Sequence, residues 1–70
     1  MTIFSVRLKN LRIENGYGQK NVALDLGVSQ CAVSRWENGL REPSLDRLVE
    51  IAHYYQVTCA YLVGQTDMKK

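Results

Sequence analysis

One proline, one histidine, two cysteines and no long apolar run: in a chain of 70 residues, what is scarce excludes whole classes of function. With His53 as the lone imidazole, acid–base catalysis has few candidates, and so short a chain has little material for the walls of a catalytic pocket. Cys31 and Cys59 could form at most one bridge, and a reducing compartment would keep both as thiols. Together with His53 they make three soft ligands at unrelated spacings, one short of a closed zinc site. A thiol enzyme using Cys31 and His53 would lack a third group to orient the pair. The sequence therefore predicts no catalytic residue, no metal, no cofactor and no small-molecule substrate.

The longest stretch without a formal charge, Ile51 to Thr66, contains His53, Gln56, Thr58, Gly64 and Gln65 and falls short of the ~20 apolar residues of a membrane span. Arg7 interrupts the N-terminus before an apolar run of signal-peptide length can develop, which predicts a cytoplasmic protein. What remains is 46% hydrophobic and 23% charged, the balance of a chain that folds, and its length predicts one domain over 1–70. The net charge of +2 is unevenly spread. Residues 1–41 hold six bases against three acids, whereas 42–68 hold one base against four acids before Lys69 and Lys70. A basic face, if the fold makes one, belongs to the N-terminal half.

Phe4, Leu8 and Leu11, with Ile3, recur at three- and four-residue steps and predict a first amphipathic helix closed by Asn15-Gly16. A second helix is predicted over 19–26, starting after Gly18, burying Val22, Ala23 and Leu26, and stopped by Gly27. Ser29 caps a third over 30–38 with Val33 and Trp36 inward, and Asn38-Gly39 ends it. Ser44 caps a fourth whose buried stripe is Leu45, Leu48, Ile51, Ala52 and Tyr55. Thr58 caps a short fifth over 59–63, ended by Gly64, and the polar tail 65–70 is predicted to fray. No period-two alternation suggests a strand, so the class is all-α, and no helix is long enough to be stable undocked.

The twenty residues from Gln19 to Asn38 join two short helices through Gly27-Val28-Ser29, a helix-turn-helix pattern. Ala23 falls where the two helices approach most closely, and Gly27 supplies the positive φ of a sharp turn. Val22, Leu26, Val28, Val33 and Trp36 are placed to lock the pair against its neighbours, and Trp36 at helical spacing from Val33 is a core anchor.

With these fragments at their spacings, together with Leu8-Lys9-Asn10-Leu11-Arg12, Arg41-Glu42-Pro43-Ser44-Leu45 and Ala60-Tyr61-Leu62-Val63-Gly64, the chain resembles the Cro-type or lambda-repressor-like helix-turn-helix domains, the XRE family. The resemblance covers almost the whole chain. It implies a compact five-helix fold and sequence-specific binding of double-stranded DNA, with helix 3 in the major groove. It further implies base reading by Gln30, Cys31, Ser34 and Arg35, and phosphate contacts from Gln19, Asn38 and Arg41. An ion pair between Arg12 and Glu37 would tie helix 1 to the end of helix 3. Two positions depart from the family pattern: Cys31 stands where Gln, Ser, Pro or Ala is commoner, and Gly18 replaces a Thr or Ser cap.

The geometry of helix 3 agrees for one residue, because Val33 and Trp36 inward turn Arg35 outward. The resulting expectation is a transcriptional regulator, a repressor that occupies an operator as a homodimer, at least on DNA. The candidate self-contact is the uncharged stretch after Glu50, at Tyr54, Tyr61 and Val63. The chief alternative is an antitoxin-like adaptor whose partner is another protein; it would carry an apolar patch for that partner.

Overall fold

Four of the five helix starts are fixed by a hydroxyl at the N-cap. In the computed structural model, which describes residues 2–70, Thr2, Ser29, Ser44 and Thr58 each accept the backbone N–H three residues on, at 3.0 to 3.2 Å. The helices are α1 (Ile3–Glu14), α2 (Gln19–Leu26), α3 (Gln30–Glu37), α4 (Leu45–Tyr55) and α5 (Cys59–Val63). No strand occurs among the described residues. α3 stops one residue earlier than the sequence predicts, with Asn38 as its C-cap, its side-chain amide donating back to the Ser34 carbonyl.

The turn between α2 and α3 depends on Gly27 at φ +71°, a left-handed conformation that a Cβ would strain, while the Val28 N–H reaches back to the Ala23 carbonyl at 2.9 Å. α4 makes the same kind of ending without glycine: Gln56 occupies φ +57°.

One core unites all five helices. Leu8, Leu11, Val22, Ala23, Leu26, Val33, Trp36, Ile51, Ala52, Tyr55 and Leu62 are buried, and α1 packs on both α3 and α5. Val28 and Leu48 pack against this cluster half-buried. Several expectations for the core need correction, beginning with Leu48, half-buried rather than buried, and Ile3, which is 55% exposed. Leu45 is 81% exposed, because helical side chains lean toward the N-terminus and this one, in the first position of α4, overhangs the helix start. Phe4 is only half-buried, at the rim of a groove shared with Leu48.

Three polar residues without an apolar pattern also shape the fold. Ser5 is completely buried because its hydroxyl donates to the Thr2 carbonyl at 2.8 Å. Arg47 donates to the Leu26 carbonyl at 2.7 Å, holding α4 to the end of α2. Arg7 donates to the carbonyls of Tyr61 and Thr66 and to Asp67, with its guanidinium 4.2 Å from the Tyr61 ring centroid. Where composition predicts a frayed tail, the chain folds back: the Thr58 N–H donates to the Lys69 carbonyl, and Lys69 Nζ meets Glu14 at 2.7 Å.

Candidate nucleic-acid interface

Val33, Trp36 and Glu37 are buried on one side of α3, which leaves Gln30, Cys31, Arg35 and Asn38 exposed on the other, with Ser34 half-buried at its edge. A rigid helix thus displays an amide, a thiol, a hydroxyl and a guanidinium to solvent. The chemistry suits the major groove, whose floor offers both donors and acceptors to such groups. Cys31 carries a free thiol.

Beneath this face lies the Arg12–Glu37 pair. Arg12 Nε meets Glu37 Oε2 at 2.7 Å and its terminal nitrogen Nη2 meets Oε1 at 3.1 Å, a two-pronged contact that links α1 to the last turn of α3. The side chains are only 14% and 2% exposed. Glu37's hydrogen bond holds the Arg12 guanidinium above its ordinary pKa, against the opposing effect of burial.

Gln19 joins this network. Its side-chain Nε2 donates to Glu37 Oε1 at 3.2 Å, so the amide is half-buried and its position is set by the ion pair. One hydrogen of that nitrogen remains for an outside acceptor. Around it, the first turn of α2 has no side-chain cap, because Gly18 carries no oxygen to supply one. Uncapped N–H groups at a helix start attract an anion. Lys20, in the same turn, is exposed and adds a cation there. Sequence reasoning left Lys20 unassigned; the signal was its place directly after Gln19.

Just past the C-terminus of α3, Arg41 is exposed in the loop before α4 and lines one groove with Arg35, Arg47, Trp36 and Pro43. Two exposed cations, Lys20 beside Gln19 and Arg41 after α3, therefore accompany the display face. Asn38, to which the resemblance gives a phosphate role, is exposed at the C-cap of α3 with its amide turned back onto Ser34. Its Nδ2 donates to the Ser34 carbonyl at 2.9 Å and to Ser34 Oγ at 3.3 Å, and its backbone N–H donates to the same carbonyl.

The residues expected to form a self-contact are largely engaged. Tyr54 donates to Asp25 Oδ2 at 2.6 Å and stands edge-on to Tyr55, and Tyr61 lies under Arg7. Val63 is exposed, beside an apolar groove lined by Ile3, Phe4, Pro43, Leu45 and Leu48.

A five-helix domain with α2 and α3 joined by a glycine turn, and with a polar face displayed on α3, is a helix-turn-helix domain of the lambda-repressor-like class. Residues 8–62 match the Helix-turn-helix family, and the chain belongs to it, within its XRE type. Among curated relatives it is similar to the HTH-type transcriptional regulator ImmR of Bacillus subtilis (strain 168), 34% identical over 64 residues, covering 91% of this chain and 50% of that protein. It is also similar to the cryptic phage CTXphi transcriptional repressor RstR of Vibrio cholerae, 31% identical over 65 residues, 93% of this chain and 59% of the relative. The transcriptional activator BcrR of Enterococcus faecalis matches at 31% over 65 residues, 93% of this chain but 32% of its own length. The chain spans about half to three-fifths of the length of ImmR and RstR. Among the described residues no helix is long and apolar enough to cross a membrane.

Proposed function

We propose that this chain binds double-stranded DNA at a specific sequence and regulates transcription in the cytoplasm, acting as a repressor that occupies an operator. The observation that carries the reading is the two-sided character of α3: one side is locked by Val33, Trp36 and Glu37, and the other presents Gln30, Cys31, Ser34 and Arg35. Base-edge groups specify sequence while cations at the flanks position the helix on phosphates, and Gln19 with the α2 N-terminus and Arg41 supply that positioning. Arg35 is the principal reader, since its planar fork matches O6 and N7 of guanine. Repression rests on likeness to RstR, named a repressor; likeness to BcrR, named an activator, is the reason to test the sign of regulation directly.

The active form on DNA is a homodimer. Two copies on half-sites one helical turn apart have centres ~34 Å apart. The backbone extends 28 Å along its longest axis, so two copies at that spacing stand close enough for side chains at their facing ends to meet. The apolar groove between α1, α4 and the end of α5, with exposed Leu45 in its wall, offers such a contact an apolar surface.

Selection of bound sites from a random DNA pool tests the reading, repeated with Arg35→Ala. Symmetric sites are expected, with one guanine preference per half-site relaxed in the variant. Failure of the parent protein to enrich any sequence overturns sequence-specific binding. Loss of affinity at all positions alike in Arg35→Ala makes Arg35 a backbone contact.

A further inference from the structure

We propose that Arg47 is a phosphate-positioning residue: the Nε–Nη2 edge of its guanidinium takes a phosphodiester of the bound duplex in the groove between α3 and the start of α4. The inference rests on the reading of α3 as the groove-reading helix and adds to it a contact from α4 that neither the sequence pattern nor the resemblance assigns.

Arg47 is held by one corner only. Its Nη1 donates to the Leu26 carbonyl at 2.7 Å and to Glu50 Oε2 at 3.0 Å. Two acceptors on one nitrogen of a planar group fix its plane, and with it the direction of the opposite edge. Nε and Nη2, which form that edge, have no acceptor among the described residues. It is the same side-on fork with which Arg12 grips both oxygens of Glu37. Two oxygens of a phosphate fit such a fork equally well.

The free edge borders a groove that opens beside the reading face. Glu50 lies one turn further along α4, whereas the groove lies toward the helix start, where Arg47 lines it with Ser44, with Arg41 and Glu42 of the preceding loop, and with Arg35 and Trp36 of α3. Arg35 belongs to the displayed side of α3, so in this reading the mouth of the groove faces the strand that borders the major groove. Three guanidiniums against one carboxylate leave the groove cationic, and neither Arg35 nor Arg41 makes an ion pair among the described residues. The Arg47 side chain is 31% exposed, enough for a phosphate to reach it. Because Nη1 is already held, the side chain has less freedom to lose on binding.

The anchor also gives the contact its use. Leu26 is the last residue of α2, directly before Gly27, so a phosphate on Arg47 is linked through one guanidinium to the turn that sets α3 against α2. Phosphate contacts fix register and orientation, and this one acts at the joint between the two helices.

The test uses an operator selected by the parent protein, with the uncharged variants Arg47→Met and Arg47→Gln and the charged variant Arg47→Lys, each first shown by thermal melting to be folded. The uncharged variants should weaken binding to all sequences alike and lower the slope of log affinity against log salt by about 0.9 per protomer. Arg47→Lys keeps the charge without the fork, and should restore the slope while recovering only part of the affinity. Neutral methylphosphonates placed singly along the operator provide an independent arm. At one position per half-site the substitution should cost the parent about 10-fold in affinity, the loss of a charged hydrogen bond, and cost the uncharged variants nothing further.

The proposal falls if the uncharged variants leave the slope unchanged, since a residue that only secures the Leu26 carbonyl alters affinity without altering the number of ions released. It falls equally if every methylphosphonate that weakens the parent weakens those variants as much. In both cases the DNA-binding reading survives as long as Arg35→Ala relaxes its own base position. If the parent selects no sequence, the reading and the proposal fall together.

Discussion

Removing either partner of the Arg12–Glu37 pair should unfold this protein at ordinary temperatures or close to it, whereas removing both together should not. Glu37 is 2% exposed and Arg12 14%, so a single deletion strands a desolvated charge, which typically costs about 3–5 kcal/mol. A domain of this length has a total stability of roughly 4–10 kcal/mol. The loss is therefore about a third of the whole or more. At about 4–8 °C per kcal/mol for a small domain, Glu37→Met and Arg12→Met should each lower Tm by at least 12 °C or so.

The two singles should not be equivalent. Glu37→Met leaves a guanidinium that still donates to the Tyr17 carbonyl at 3.0 Å and retains an edge to water. Arg12→Met leaves a carboxylate whose one remaining side-chain donor among the described residues is Gln19, at 3.2 Å, and which has almost no solvent access. Arg12→Met is expected to be the worse. The double variant replaces the pair with apolar side chains of similar length, an exchange that is often neutral or stabilising, so its Tm should lie within about 8 °C of the parent. Thermal and urea denaturation of the four proteins make a double-mutant cycle. Singles that melt within 3 °C of the parent would refute the desolvation argument. A double variant that loses the sum of the two singles would show that they act through separate contacts.

Arg41→Ala should weaken binding to all sequences alike and lower the slope of log affinity against log salt by about 0.9 per protomer; titrations at several salt concentrations check this, and an unchanged slope places Arg41 off the phosphates. Gln56→Gly should stabilise the domain by about 0.5–1 kcal/mol, seen as a rise of a few degrees in Tm, because Gln56 holds φ +57° where only glycine is free of Cβ strain. Alkaline conditions should destabilise it. Burial pushes the Tyr55 phenol well above its ordinary value, and burial with the Asp25 hydrogen bond does the same for Tyr54. The fold then keeps protons that the unfolded chain loses near pH 10, so stability is full below that pH and declines as pH rises through it. Urea midpoints from pH 8 to 11 should show the decline, and Tyr55→Phe should flatten it; a flat parent profile would rule out the effect.

Local chemistry made most of the fold readable. The caps at Ser29, Ser44 and Thr58 and the left-handed glycines at 16, 27 and 64 act within a few residues of themselves, so each helix end is written where it occurs. The inward stripe of α3 is equally local, since Val33 and Trp36 share a face by helical period alone, and outward placement of Arg35 follows from it. The family pattern added the pairing of Arg12 with Glu37, residues 25 apart whose contact no periodicity implies.

The sequence by itself thus determined the five helices, the glycine turn between α2 and α3, and which side of α3 is displayed. Tertiary structure alone decided what each polar group meets. Leu45 fits its stripe by spacing, yet nothing lies beyond the start of α4 to cover it. Tail residues 65–70 have the composition of a frayed end, yet Arg7 on α1 supplies donors that hold the chain back at Thr66 and Asp67. Asn38 reads as a surface amide, yet its side-chain nitrogen folds back to the Ser34 carbonyl and hydroxyl. Helix periods and caps depend on neighbours in the chain, whereas burial of an end and occupancy of a donor depend on which groups arrive in space.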